Sequence, residues 1–351
     1  MTYRPQTCVW EVTMACNMRC KHCGSSCETA LPGELSTEEA YKFIDMCEDI
    51  GMDWINLSGG EPFTRKDLIL LVKYINKCGM GINIISNGWL ITEEIVKELS
   101  KIERLRVVIS LEGPDYIHDY VRKQGSFERS KQSFELLKKY GIQMGCITTV
   151  TRQNIDHLNE LREYLINMGV RCWQLQIGLP MGNLSKHIDW LLKPEDMTKL
   201  VDYCYEASLD GKIDVYPADC IGYYDAKVED ILQRIYGDEY SVVWDGCNAG
   251  IRGFGILHNG DIVGCTSMRG KEFIEGNIRK KSLKEIWEDS EAFAWRRKFT
   301  ADKLKGDCLK CDHNEKCLGG CANTRYTMNN TVNSENLYCT YNLKLKSKNK
   351  E

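Results

Sequence analysis

The stretch ACNMRCKHCGSSC, residues 15–27, sets Cys16, Cys20 and Cys23 at the spacing C-x3-C-x2-C and adds Cys27 four residues later. Three thiolates this close in sequence can hold a cubane [4Fe-4S] cluster while one iron keeps a position without a protein ligand, where chemistry can enter. Two other readings use the same residues: a zinc site, which Cys27 could complete, and a C-x2-C redox pair, which belongs beside a thioredoxin-like fold. A second cysteine group lies toward the other end of the chain. Cys247 precedes Gly260 and Cys265 as C-x12-G-x4-C, then Cys308, Cys311, Cys317 and Cys321 follow as C-x2-C-x5-C-x3-C, and Cys339 comes last. A zinc ribbon explains the middle four and leaves Cys247, Cys265 and Cys339 without a role.

The elements that must position these groups are legible as alternating periods. The β-branched runs CVWEVTM, WINLS, GINIIS, RVVISL, QMGCITTV and RCWQLQI each precede a segment of helical period. Two helices are well marked: STEEAYKFIDMCEDIG has a capping box from Ser36 to Glu39, and NIDHLNELREYLINMG repeats apolar residues at i, i+3 and i+7. Six such units imply an α/β fold, a partial (β/α)6 TIM-like barrel with a parallel sheet, whose chemistry gathers at the C-terminal ends of the strands. The first cysteine group follows the first strand directly. Later strand ends are polar as well: SGGEP brings Gly59, Gly60, Glu61 and Pro62, SNG brings Ser86 and Asn87, and SLEG brings Ser110 and Glu112.

The chain therefore divides into a barrel over 1–193, a bridging helix and irregular segment over 194–246, a cysteine-rich domain over 247–343 that opens with a β-hairpin at HNGD and is held by metal more than by a core, and a solvated tail over 344–351. Cys8, Cys47, Cys78, Cys146, Cys172 and Cys204 sit among apolar neighbours and read as small hydrophobes. With 46 basic and 50 acidic residues interspersed, no field of one sign is available for nucleic acid or an anionic membrane. There is no apolar signal-peptide core and no run long enough to cross a bilayer, so a cytoplasmic location is expected, where thiols stay reduced and serve metals.

The C-x3-C-x2-C motif followed by GGEP, SNG and SLEG resembles the radical S-adenosylmethionine (SAM) superfamily over roughly residues 8–190. That resemblance implies that Cys16, Cys20 and Cys23 hold a [4Fe-4S] cluster whose open iron chelates SAM, and that SAM is split reductively to give a 5'-deoxyadenosyl radical that abstracts hydrogen. It further implies that His22 lies near the adenine, that Gly59 to Pro62 receive the SAM amino group, and that Ser86 and Asn87 belong to the SAM-facing strand ends. Ser110 and Glu112 face ribose and carboxylate, Arg122 pairs with the SAM carboxylate, and Ile177 and Leu179 pack on the adenine. The C-terminal cysteines resemble the SPASM domain, which carries two auxiliary iron–sulfur clusters. By that resemblance Cys308, Cys311, Cys317 and Cys339 hold one cluster, and Cys247, Cys265 and Cys321 belong to the other. The fourth ligand of the latter is Cys220 or none, and an iron open to substrate is the favoured reading.

SPASM enzymes mostly modify peptides, so the expected activity is a maturase that abstracts hydrogen from a ribosomal peptide or protein and forms a thioether or C–C cross-link. Thr266 after Cys265 stands where sulfatase-maturating relatives carry aspartate, which argues against formylglycine formation. The expected partners are the peptide, a flavodoxin- or ferredoxin-type electron donor, and a separate leader-binding protein. A radical dehydrogenase or carbon-skeleton enzyme on a small molecule is the alternative, and a non-catalytic iron–sulfur electron carrier is the alternative of another class. No catalytic acid or base is assigned, although Asp219, Tyr223, Tyr224, Asp245 and His258 lie in segments able to line a cavity.

Overall fold

The computed structural model describes residues 3–218, 220–238 and 241–348. Seven strands alternate with helices: β1 (Thr7–Thr13), α1 (Thr37–Asp49), β2 (Trp54–Gly59), α2 (Leu68–Lys77), β3 (Gly81–Ser86), α3 (Glu93–Leu99), β4 (Leu105–Ser110), α4 (Asp115–Val121), α5 (Ser126–Lys139), β5 (Gln143–Val150), α6 (Leu158–Met168), β6 (Cys172–Ile177), α7 (Asp196–Ser208), β7 (Asp214–Pro217) and α8 (Ala226–Tyr236). Three short strands follow, β8 (Gly253–Ile256), β9 (Asp261–Val263) and β10 (Ile274–Asn277). All ten form one sheet in the order β10-β9-β8-β1-β2-β3-β4-β5-β6-β7. Strands β1 to β7 pair in parallel with their sequence neighbours.

Strand alternation decides which residues reach the interior of the curved sheet. Cys8, Trp10 and Val12 of β1 are fully buried on the helix side, where Trp10 meets Phe43 of α1 edge to face at 5.0 Å. Val9, Glu11 and Thr13 then fall on the opposite face. The same period on β6 sends Gln174 and Gln176 inward while Trp173 and Leu175 are buried outside. The Ser36 and Glu39 capping box of α1 is formed as the sequence indicates.

Two features depart from the sequence expectation. The segment read as irregular contains a seventh parallel unit: β7 pairs with β6, and α8 begins at Asp225, whose side chain accepts the Lys227 N–H. The four-residue DVYP strand is too short for a periodic signal and ends in proline, whereas the apolar spacing of Val228, Ile231, Leu232 and Ile235 was readable in the sequence. The second departure concerns the cysteine-rich segment. Its hairpin joins the main sheet, β8 running parallel to β1 with Phe254 opposite Cys8 and Ile256 opposite Trp10. Phe254, Ile256, Leu283, Ile286, Trp287 and Phe293 thus share the barrel's core, while small satellite clusters gather around the cysteines, Met268 and Phe273 near Cys265 and Phe299 and Leu304 near Cys308 among them. Residues Thr340–Lys348 form a final helix, tied back by Lys344 to Asp225 at 2.7 Å.

Arg279 fastens the two segments together, donating to both carboxylate oxygens of Glu39 and to the Gly33 and Asn259 carbonyls. Because the Ser36 cap holds that same turn of α1, S36A should lower stability by about 1 kcal/mol, read as a shifted midpoint in urea denaturation.

Candidate functional site

The loop that leaves β1 carries Cys16, Cys20 and Cys23 and has almost no regular structure of its own, so its backbone groups are met by neighbours. Glu34 accepts the Met14 N–H at 2.7 Å, Cys16 N–H donates to the Glu28 carbonyl at 3.1 Å, and Lys21 N–H donates to the Val121 carbonyl at the end of α4 at 2.9 Å. From the far side Asn183 N–H donates to the Cys23 carbonyl at 2.8 Å, and its side-chain amide donates to the Cys20 carbonyl at 3.0 Å. Gly182 makes this clamp possible: its φ is +51°, and a Cβ there would lie 2.5 Å from the Gly24 carbonyl oxygen and 2.6 Å from that of Cys23.

The GGEP segment acts on the same loop. Gly59 at φ +132° and Gly60 pass so close to the end of β1 that a Cβ would lie 2.2 Å from the Thr13 oxygen and 2.1 Å from the Ala15 oxygen, respectively. Pro62 then opens a single 3-10 turn over Pro62–Thr64. The Glu61 carboxylate, fully buried, accepts from Ser86 Oγ at 2.8 Å, Asn87 N–H at 2.7 Å and Phe63 N–H at 3.1 Å. Burial pushes it up to about 7 against those hydrogen bonds. Asn87 in turn donates to Asn17 Oδ1 at 2.8 Å, so the ends of β2 and β3 and the cysteine loop form one network.

A second network is built on Glu112, just beyond β4. Its Oε1 accepts from Arg122 Nε at 3.0 Å and from Arg122 Nη2, lies 3.2 Å from His22 Nε2, and its Oε2 accepts the Thr149 N–H at 2.8 Å. Burial alone would raise this carboxyl, but neighbouring His22 and Arg122 outweigh it and hold Glu112 well below the usual carboxylate range. Arg122, expected from the family resemblance to face a SAM carboxylate, is paired here with Glu112 and turns Nη1 toward Cys20 Sγ at 3.9 Å. His118, fully buried, accepts the Glu112 N–H on Nδ1 at 3.1 Å, and burial lowers it to about 3. Ser110 ends β4 opposite Ile147.

A tetrahedral zinc with Zn–S bonds of 2.3 Å needs sulfurs about 3.8 Å apart. Among the described residues, the one set of three or more Cys, His, Asp or Glu ligand atoms that converges within 4.8 Å is Asp45, Glu48 and Cys78 on the surface. No three of the described cysteines are drawn that close. Cys27 is near Cys23, and its thiol, with the Ser25 and Cys27 N–H groups, holds Cys23 below the usual thiol range against the effect of burial. Cys20 is pushed up to about 11 by burial. Buried polar atoms without a protein partner face this region, His22 Nδ1 and Asn17 Nδ2 among them, as suits a polar cofactor against the loop.

The C-terminal cysteines separate into two sites. Cys308, Cys311, Cys317 and Cys339 line one cavity, with Tyr223, Tyr224 and His313 around them; Tyr224 stacks on His313 at 3.8 Å. Cys247, Cys265 and Cys321 border a much larger cavity of about 510 Å³ between the sheet and the C-terminal segment, and Cys220 borders it too. His22, Ile177 and Leu179 line the same cavity, together with Gln174, Gln176 and Trp244. Arg325 is 3% exposed, its Nε and Nη1 lack a protein partner, and Cys308, Cys321 and Cys247 lie within its electrostatic reach. A buried guanidinium with unspent donors between two cysteine sets fits anionic thiolate-bound clusters on either side.

Sequence reasoning missed Asn17, His118, Thr149, Asn183, Arg269 and Arg325, which carry no local motif; the turn-forming PMGN around Gly182 was the one available signal. Of the segments thought able to line the cavity, Asp219 lies outside the described residues, Asp245 pairs with Arg252 on the surface, His258 gives its backbone carbonyl to the Leu35 N–H, and Tyr223 accepts the Cys321 N–H at 2.9 Å. Cys8, Cys47, Cys146 and Cys204 are buried, and Cys78 and Cys172 are half-buried.

Two expectations follow. C27A should keep its iron, whereas C16A, C20A or C23A should each lose about four irons per chain, measured by iron and sulfide content of anaerobically purified protein. Because His118 titrates near 3 in the fold and near 6.5 unfolded, the unfolded chain binds the extra proton between those values. Stability should therefore fall as pH drops through this window, with Glu112 adding to the loss below about 4.3. H118Q should remove the upper part of that fall in a Tm series against pH.

A profile described as "Radical SAM superfamily" matches residues 10–165, and one described as "SPASM: Iron-sulfur cluster-binding domain" matches residues 247–312. The chain is 30% identical over 97% of its length to the AdoMet-dependent heme synthase of Methanosarcina barkeri, covering 98% of that protein. It is 29% identical over 92% of its length to the mycofactocin maturase MftC of Mycolicibacterium smegmatis, covering 79% of that protein. Its fold is similar to that of Streptococcus suis SuiB bound to S-adenosylmethionine, at 18% identity and TM-score 0.75 over 95% of this chain and 76% of the other. No helix among the described residues is long and apolar enough to cross a membrane.

Proposed function

Because the chain belongs to the radical SAM superfamily and carries a SPASM iron–sulfur domain, we propose that it is a peptide maturase, removing hydrogen from a ribosomal peptide and closing a thioether or C–C cross-link. The family's cofactors are a [4Fe-4S] cluster, SAM and auxiliary iron–sulfur clusters. When bound, the first two supply a carbon-centred radical able to take hydrogen from an unactivated C–H bond.

The chain's own residues do the rest. Cys16, Cys20 and Cys23 hold the first cluster, and Cys308, Cys311, Cys317 and Cys339 one auxiliary cluster. Gly59 to Pro62, Ser86 and Asn87 fix the loop that would receive SAM, and Ser110, Glu112 and Arg122 would hold its polar end. His22, Ile177 and Leu179 wall the adenine side and exclude water.

The observation that carries the substrate class is the lining of the 510 Å³ cavity. Among the described residues it presents Thr149, Gln174, Gln176, Ser267, Asn323 and Thr324 and no Lys, Arg, Asp or Glu. Amide side chains offer a donor and an acceptor each, which suits a peptide backbone and neutral side chains. The similarity to mycofactocin maturases supports the same class. An iron porphyrin is the second reading, favoured by the near full-length similarity to AdoMet-dependent heme synthases; its carboxylates call for arginine or lysine at the wall.

The reducing electron comes from a flavodoxin- or ferredoxin-type donor, toward which the cysteine loop presents exposed Arg19, and leader recognition falls to a separate protein. Reduced, iron-loaded enzyme with SAM should lower the mass of a small peptide encoded beside its gene by the hydrogens removed. Mass change of an iron porphyrin with none in any such peptide would transfer the assignment to the second reading, and 5'-deoxyadenosine release without change in either would defeat both.

A further inference from the structure

We propose that Cys220 is the fourth protein ligand of the auxiliary cluster held by Cys247, Cys265 and Cys321, so that four thiolates close this cluster and it offers no open iron to substrate. The assignment departs from the open-iron reading of the sequence, because a cysteine 27 residues before Cys247 belongs to no recognisable spacing. It stands whether the substrate is a peptide or a porphyrin.

Cys220 lies just past β7, at the strand edge where the barrel gathers its functional groups. Its neighbours on either side are held: Ala218 N–H donates to the Leu175 carbonyl and Ile221 N–H to the Ala218 carbonyl, each at 2.9 Å. Gly222 at φ +76° packs so closely on Val228 that a Cβ would lie 2.2 Å from its methyl, which fixes the exit of this segment. Cys220 then borders the same cavity as Cys247, Cys265 and Cys321. Three residues on, the buried Tyr223 hydroxyl accepts the Cys321 N–H and lies within electrostatic reach of both Cys321 and Cys220, which brings the two cysteines around one phenol. Cys8, Cys47, Cys146 and Cys204 are fully enclosed in the apolar core, whereas Cys220 is half-buried and packs only against the edge of that core.

Ligation costs each thiol its proton and adds negative charge to the site. Arg325, close to Cys321 and Cys247, is the buried cation that balances it. A cluster closed in this way can pass electrons but cannot anchor a substrate thiol or carboxylate.

The test uses the full chain carrying C16A, C20A and C23A, so that only the auxiliary clusters contribute. With Cys220 intact, about eight irons per chain are expected, and ferricyanide oxidation should give no [3Fe-4S] signal by electron paramagnetic resonance. Adding C220A should expose one iron, seen as that signal on oxidation or as loss of about four irons; C220S should keep the iron and shift the spectrum of the reduced cluster. Equal iron and equal spectra with and without Cys220 would overturn the assignment. So would a [3Fe-4S] signal in the Cys220 protein itself, a result that does not depend on how well the variant folds. Neither SAM nor substrate enters the measurement, so its outcome is separate from that of the peptide assay.

Discussion

A loop that must hold several sulfurs apart cannot also satisfy its own backbone, and this constraint organises the barrel end. Residues 14–28 tie only part of their backbone internally, as Cys16 N–H to Glu28, Cys23 N–H to Cys20 and Arg19 to the Cys16, Met18 and Glu28 carbonyls do, and burial of the remaining N–H and C=O groups unmet would be costly. Others are answered from different elements: Glu34, the end of α4, the GGEP turn and Asn183 after β6. The polar strand ends serve first as the frame of this loop. Glu61 touches the loop through its backbone, its N–H donating to the Ala15 carbonyl at 2.8 Å, while its carboxylate is spent on Ser86, Asn87 and Phe63.

Sheet continuity is the second consequence. Because β8 extends the sheet beyond β1, the C-terminal segment is built onto the strand that delivers the first cysteine group. Arg269, four residues after Cys265, crosses the junction to Glu11 and to Ser25 Oγ at 2.7 Å. Glu11 is nonetheless pushed up to about 7, because its burial outweighs the arginine. His22 and Gly24 of the first cysteine loop thus border the same cavity as Cys247, Cys265 and Cys321, and a reactive species formed there would meet side chains before solvent.

Buried charge is managed by pairing. Glu112 collects Arg122, His22 and the Thr149 N–H around two oxygens, and His118 stays neutral beneath it as an acceptor. Removing one partner from such a set leaves the others buried and uncompensated, which costs more than the set contributes when whole. Arg325 follows the same rule with thiolates as its counter-charges.

The sequence alone determined the parallel strand–helix alternation, the family, and the grouping of the cysteines into an N-terminal three and a C-terminal seven, because local period and cysteine spacing are properties of adjacent residues. It also put Glu61, Asn87, Glu112 and Arg122 at the ends where they lie. Tertiary structure decided what these groups touch: that Glu61 serves the next strand, that Arg122 pairs with Glu112, that Asn183 clamps Cys20 and Cys23 from 160 residues away, and that Cys220 shares a wall with Cys247. Those contacts join residues far apart in the chain through sheet order and hairpin placement. No window of sequence contains both partners, so only the folded chain brings them into register.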